Sequence, residues 1–195
     1  NPLWPFGAST YSNGNLDVVT DGASYGYTLS TFGLATGKWY AEFTYSAAGA
    51  GGQYCQFGIA SNLAPTLGYY LGSRSNDWGF SQHIGGYYTS AASNSYGSTW
   101  SVGDLLSIAL DKDNNRLYFA INGVWQNSAN PAAGTGGVDI SSAAGLPSFF
   151  AVCDSAGAVV TGSINFGQRP FAISSIPTGY VSRLIQVHLI SIYRQ

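Results

Sequence analysis

The stretch that most constrains this chain runs from Gly103 to Trp125, GDLLSIALDKDNNRLYFAINGVW. Residues 106–110 form an apolar run of strand length, and residues 111–115 (DKDNN) collect the Asp and Asn that favour turns. Residues 116–121 return as a second strand. Asn122-Gly123 ends it with the strongest short signal for a hairpin turn. Strands joined this tightly are antiparallel neighbours, so the segment is a hairpin to which other strands add.

The rest of the chain supplies them. In residues 38–45, Trp39, Ala41, Phe43 and Tyr45 share one face, and Lys38, Tyr40, Glu42 and Thr44 the other. Further strands are expected at 16–20, 25–32, 53–60, 77–81 and 86–89, with 148–153 and 159–166 pairing as a second hairpin. Trp39, Phe43, Phe57, Trp78, Ile108, Phe119, Phe150 and Phe166 fall at strand positions and are assigned to the core. Without an amphipathic helix, such spacing predicts one all-β domain, a sandwich or barrel. Residues 1–15, with Pro2, Pro5 and Gly7, are expected to be irregular, residues 16–180 to form the domain, and residues 181–195 to be an apolar extension.

Only 8% of the 195 residues are charged, yet 45% are hydrophobic, which separates the chain from disordered sequences. A net charge of −2 with seven scattered basic residues leaves no electrostatic footprint for nucleic acid. No apolar run reaches the length needed for membrane insertion. The chain has no Met, so Asn1 reads as a processed or trimmed end. Cys55 and Cys153 lie in strand-like runs and read as buried thiols, with a disulfide open only if their strands pair closely.

The ordered motifs resemble the SPRY family, the core of the B30.2 domain. Residues 37–43 (GKWYAEF) are similar to its opening G-K-x-Y-x-E-V strand, and residues 57–60 (FGIA) to its V-G-I-A strand. Leu67-Gly68 and Trp78-Gly79-Phe80 resemble the next block. Gly103-Asp104, Ala109-Leu110-Asp111, Leu117-Tyr118-Phe119 and Asn122-Gly123 match the G-D, A-L-D and L-Y-F-x-x-N-G signature. Pro147 and residues 164–171 (INFGQRPF) resemble its close. The resemblance implies a bent two-sheet antiparallel β-sandwich that binds through loops at one end, without catalysis or cofactor. The nearly uncharged, Asn- and Gly-rich character is similar to SPRY domains of bacteriophages and environmental viruses. That implies a virion-surface or extracellular protein (a fibre tip, capsid decoration or adhesin) engaging other virion subunits, a host protein or a host glycan. The alternative is a cytoplasmic adaptor module that recognises a peptide.

Catalytic and metal constellations are weak. The series Asp111-x-Asp113-x-Asn115 opens like a calcium loop, but Arg116 and Asn122 stand where Gly and Glu are needed, so a hairpin turn is the reading. Gly22-x-Ser24-x-Gly26 fits a nucleophile elbow only between a strand and a helix, and the residues after it are strand-like. The two His and two Cys lack zinc spacing, so neither a catalytic residue nor a metal ligand is assigned. Loop aromatics remain: Tyr69, Tyr70, Tyr87, Tyr88, Tyr96, Trp100 and Trp125 lie in or beside loops, and all of them but Trp100, with Arg74 as polar partner, are the expected ligand-binding residues, within loops 61–76, 85–101 and 123–146. In the tail, Leu184, Ile185, Val187, Leu189, Ile190 and Ile192 read either as a final edge strand or as an arm joining copies of the chain into a homo-oligomer.

Overall fold

Fourteen strands, paired antiparallel, and no α-helix make up the described residues (9–22, 25–49, 54–61, 68–154, 157–173 and 176–181) of the computed structural model. In chain order they are β1 (Thr10–Ser12), β2 (Asp17–Val19), β3 (Gly26–Leu29), β4 (Lys38–Ala48), β5 (Gln56–Ala60), β6 (Asp77–Ser81) and β7 (Gly86–Thr89). Then come β8 (Ala92–Ser95), β9 (Leu105–Asp111), β10 (Arg116–Ile121), β11 (Val124–Trp125), β12 (Val138–Asp139), β13 (Phe149–Asp154) and β14 (Val160–Asn165). The larger sheet runs β1-β2-β14-β4-β9-β10-β11, with β12 also on β10, and the smaller runs β3-β13-β5-β6-β7-β8. The expected two-sheet sandwich is the fold.

The hairpin of residues 103–125 forms as its sequence dictates. Arg116 pairs with Asp111, and the Asp111 carboxylate closes the turn by accepting the backbone N–H groups of Asp113 and Asn114. Lys38 also reaches that carboxylate at 2.9 Å, which ties β4 to the hairpin and uses Asp111 as a turn residue. Asn122 and Gly123 both hold positive φ, 50° and 82°, as a two-residue turn between paired Ile121 and Val124 requires.

Alternation in β4 sends Trp39, Ala41, Phe43 and Tyr45 inward, where they meet Phe57, Ile59, Trp78, Phe80, Phe150 and Val152 from the smaller sheet. Ring pairs bridge the sheets: Phe43 and Phe57 are 5.3 Å apart and Phe80 stacks on Phe119 at 4.9 Å. Each such buried ring contributes about 2–3 kcal/mol of burial. The outer faces are covered as well. Residues 165–173 and 176–181 lie across the larger sheet, where Glu42 accepts the N–H groups of Ala172 and Ile173 and Phe171 meets Tyr40 edge-on at 4.8 Å. Residues 68–76 cover part of the smaller sheet, with Leu71 buried among Tyr27, Leu29, Ala60, Ala151 and Cys153.

Several sequence expectations change. The two runs expected to form a second hairpin lie in different sheets: β13 pairs with β3 and β5, β14 with β2 and β4. The chain crosses the sandwich between them, because both inner faces demand apolar strands. Thr10–Ser12 forms a strand within the segment expected to be irregular, and β8 adds an edge made largely of small residues that carried no apolar alternation. Tyr96, expected on a binding loop, is 6% exposed. Its ring packs against Phe80 and Phe119, and its hydroxyl donates to the Gly136 carbonyl. Tyr87, expected beside it, also turns toward the core, because β7 alternation sets it opposite Phe80. Cys55 and Cys153 are free and buried. Although β5 and β13 are neighbours, Cys55 joins the inner core and Cys153 the outer cluster, so the two thiols sit on opposite faces.

Candidate functional site

On the outer face of the smaller sheet, the register sets Gln56 beside Ser81 on one side and Cys153 on the other. Next along, Gly58 pairs with Gly79, so β5 and β6 carry no side chain there. A Cβ on Gly79 would lie 2.6 Å from the Leu71 carbonyl oxygen, so glycine is what lets residues 68–76 lie flat on the strands. The Leu71 N–H donates to the Cys153 thiol at 3.3 Å. Beside it, the Tyr27 hydroxyl donates to Asp77 at 2.6 Å, and Arg74 both donates to that hydroxyl and faces Asp77 at 3.4 Å.

Where this cover stops, an open hollow of about 400 Å³ remains, with Gln56, Ser81 and Asp154 among its lining residues. Five rings border it in an unbroken arc. Tyr25 lies 5.8 Å from Tyr70, Tyr70 5.3 Å from Tyr88, Tyr88 6.4 Å from His83, and His83 5.0 Å from Tyr54, centre to centre. Three of these four pairs are tilted by 60° or more, so neighbouring rings present walls at different angles. Tyr25 and Tyr54 are 44% and 43% exposed and form the outer ends of the arc.

Electrostatics reflect partial burial. Desolvation, then neighbouring Tyr88 and Tyr25, pushes the Tyr70 phenol up, and desolvation pushes the His83 imidazole below its usual value. His83 is therefore neutral at pH 7, with Nδ1 3.0 Å from the Ser81 hydroxyl. The Asp154 carboxyl is raised to about 6, chiefly by burial and further by Asp21, against hydrogen bonds from Thr20 and the Gly22 N–H. Oδ1 of Asp154 and Oε1 of Gln56 are buried and have no partner. Among the described residues, no three His, Cys, Asp or Glu side chains gather to hold a metal ion. The arrangement suits capture of a side chain by aromatic faces and a few polar groups.

Of the residues singled out from sequence, Tyr70 and Tyr88 line the hollow. Tyr69 stacks on the Arg74 guanidinium at 4.8 Å, and Arg74 is spent on holding the cover to Asp77 and Tyr27. Trp125 lies on the larger sheet and packs with the cluster of Tyr40, Tyr118 and Tyr180, away from the other candidates. Ser24 and the tail residues Leu184, Ile185, Val187, Leu189, Ile190 and Ile192 lie outside the described residues. Sequence reasoning missed Tyr25, Tyr54, Gln56, His83 and Asp154 as site residues. The outward alternation of Tyr54 with Gln56 was the one local signal available.

The fold and the motifs agree with known proteins. Residues 38–168 match the SPRY domain family. Among solved structures, the crystal structure of the SPRY domain of human HERC1 is similar at 17% identity and a TM-score of 0.67, covering 84% of this chain and 95% of that one. No curated protein matches the chain by sequence. At that identity the likeness of structures speaks to the fold, and the family match covers two thirds of the residues. SPRY domains generally serve as non-catalytic modules of protein–protein interaction. This chain belongs to the SPRY family.

Proposed function

We propose that the chain is a non-catalytic module that binds a partner protein by gripping one of its side chains in the tyrosine-walled hollow. The observation that carries this reading is the arc of Tyr25, Tyr70, Tyr88, His83 and Tyr54 around buried polar atoms left without partners. Exposed aromatic rings supply contact area at low entropic cost, and a few such anchors dominate binding energy.

The test is selection of random peptides on the whole chain, and then binding of the selected peptides to the Tyr70→Ala/Tyr88→Ala variant. Loss of two anchors is expected to weaken selected peptides by at least about tenfold, from roughly 2 kcal/mol per hot-spot ring, with thermal unfolding confirming the fold. Peptides that bind both forms equally would remove the hollow from consideration.

A second reading puts the same module on a virus particle, binding a virion subunit or a host glycan. The 8% charged content and the abundance of Gly support it, and tyrosine faces also stack on sugars. An adaptor and a virion subunit would use the same hollow. A mass measured in solution with and without residues 181–195 separates them, since an assembly arm predicts an oligomer that falls to monomer on truncation.

A further inference from the structure

We infer that the side chain taken by the hollow is an alkylammonium, a lysine of the partner segment, with the methylated form preferred. This inference rests on the hollow being the binding site and adds the chemistry of what enters it.

Three observations point to a cation. First, the arc presents four phenol rings and a neutral imidazole at mutual angles, and the electron-rich faces of such rings attract ammonium groups lying within about 6 Å of their centres. Rings about 5–6 Å apart allow one cation to touch two of them at once. Second, among the described residues the lining includes a carboxylate and no Lys or Arg. Asp154 is 2% exposed; it accepts from the Gly22 N–H at Oδ2 and from the Thr20 side chain, and its Oδ1 is left without a partner. None of the ion pairs among the described residues involves it. A buried carboxylate without a counter-ion is costly, and a ligand cation brought near would offset that cost. Third, Gln56 is 7% exposed and its Oε1 is also without a partner, so its partial negative charge adds to that of the carboxylate residue and favours a cation that need not donate a proton. The nearby guanidinium of Arg74 does not compete, since it is engaged with Asp77, Tyr27 and Tyr69.

Methylation favours binding here for a physical reason. A trimethylammonium keeps its charge but sheds its hydrogen-bonded water cheaply, and aromatic cages recognise such groups. An acetylated lysine has the same stem and no charge. It is the control that separates cation recognition from simple apolar filling.

The experiment uses the whole chain and blocked amino acids as probes: Nα-acetyl-lysine methylamide, its Nζ-trimethyl form and its Nζ-acetyl form, with a methyl glycoside alongside. Binding is read by perturbation of the tyrosine ring NMR signals during titration. The expected order is trimethyl above unmodified above acetyl, with at least a tenfold preference for the trimethyl over the acetyl form. Tyr54→Leu and Tyr25→Leu, at exposed positions that the fold tolerates, are expected to cut that preference several-fold. Asp154→Asn is expected to cut it as well. Equal binding of the charged and acetyl forms, or binding of the glycoside alone, would overturn the cation assignment. The random-peptide selection distinguishes the levels. Uncharged peptides whose binding is lost in Tyr70→Ala/Tyr88→Ala leave the hollow as the site and reject the lysine. Peptides indifferent to that variant reject the site, and the lysine with it.

Discussion

Both sheets of the sandwich are covered on their outer faces, and the two covers are finished differently. Over the larger sheet, residues 165–173 bring backbone N–H groups to Glu42, so that its buried carboxylate accepts from Ala172, from Ile173 and from the Tyr40 hydroxyl. Over the smaller sheet, residues 68–76 stop short of the strand ends. There Asp154 keeps one carboxylate oxygen without a partner, and Gln56 its amide oxygen. A buried polar group that is satisfied fixes structure, whereas a buried acceptor left open at the edge of a hollow invites a group to complete it. The first cover is architecture, and the gap beside the second is the binding site proposed above.

The largest test of this contrast is Glu42→Ala. Removing a buried carboxylate that holds three donors is expected to cost about 4 kcal/mol, because the charge-assisted bonds are lost together and the donors are stranded. A lower urea midpoint checks it, and a loss below about 1 kcal/mol would mean the first cover is not held by Glu42. Next comes Gly79→Ala. The new Cβ pushes against the Leu71 carbonyl oxygen, and overpacking of this kind is expected to cost about 3 kcal/mol. It should also lift residues 68–76 and abolish binding at the hollow, which peptide titration would read.

Asp154→Asn runs the other way. The folded-state carboxyl sits at about 6, against 3.8 for the ordinary group, so the folded chain holds an extra proton between those values. Below pH 3.8 the penalty is absent, and above pH 6 it is complete. Asn removes the charge while leaving its amide poorly partnered, so a gain of about 2 kcal/mol is expected at pH 8 and little at pH 3.5. Thermal unfolding at the two pH values decides it, and equal effects at both would contradict the buried, unpaired carboxylate. Smallest of all, Tyr54→Leu is expected to change stability by no more than about 0.5 kcal/mol, as an exposed position should. Its effect belongs to binding alone.

The inner faces were legible because they depend on local alternation. Trp39, Phe43, Phe57, Phe119 and Phe150 can be assigned to the core from period two alone, and all five are buried. The outer faces were not legible, since burial there depends on segments distant in sequence. Nothing near Glu42 announces that residues 172 and 173 will reach it. Tyr70 and Tyr88 stand out as aromatics in a turn-rich stretch, but the neighbouring Tyr87 goes inward once β7 is set against β6. Tyr96 joins it there, for its ring fills the space beside Phe119. The crossing between β13 and β14 is hidden for a related reason. Two apolar strands with a short connection look alike whether they pair in one sheet or face each other across the core.

The rings of the hollow come from the approach to β3, the approach to β5, the cover, the β6–β7 connection and β7, and its lining is completed only at Asp154, the last residue of β13. That spread has a consequence in time. Contacts so distant in sequence form late, after the intervening loops have closed. During synthesis, Tyr25 emerges early and waits for most of the chain before its neighbours are in register. A ribosome-bound fragment ending before β13 therefore has the tyrosines and no site. On the proposed reading, recognition becomes available only once the domain has closed, which predicts a module that does not capture its partner while it is still being made.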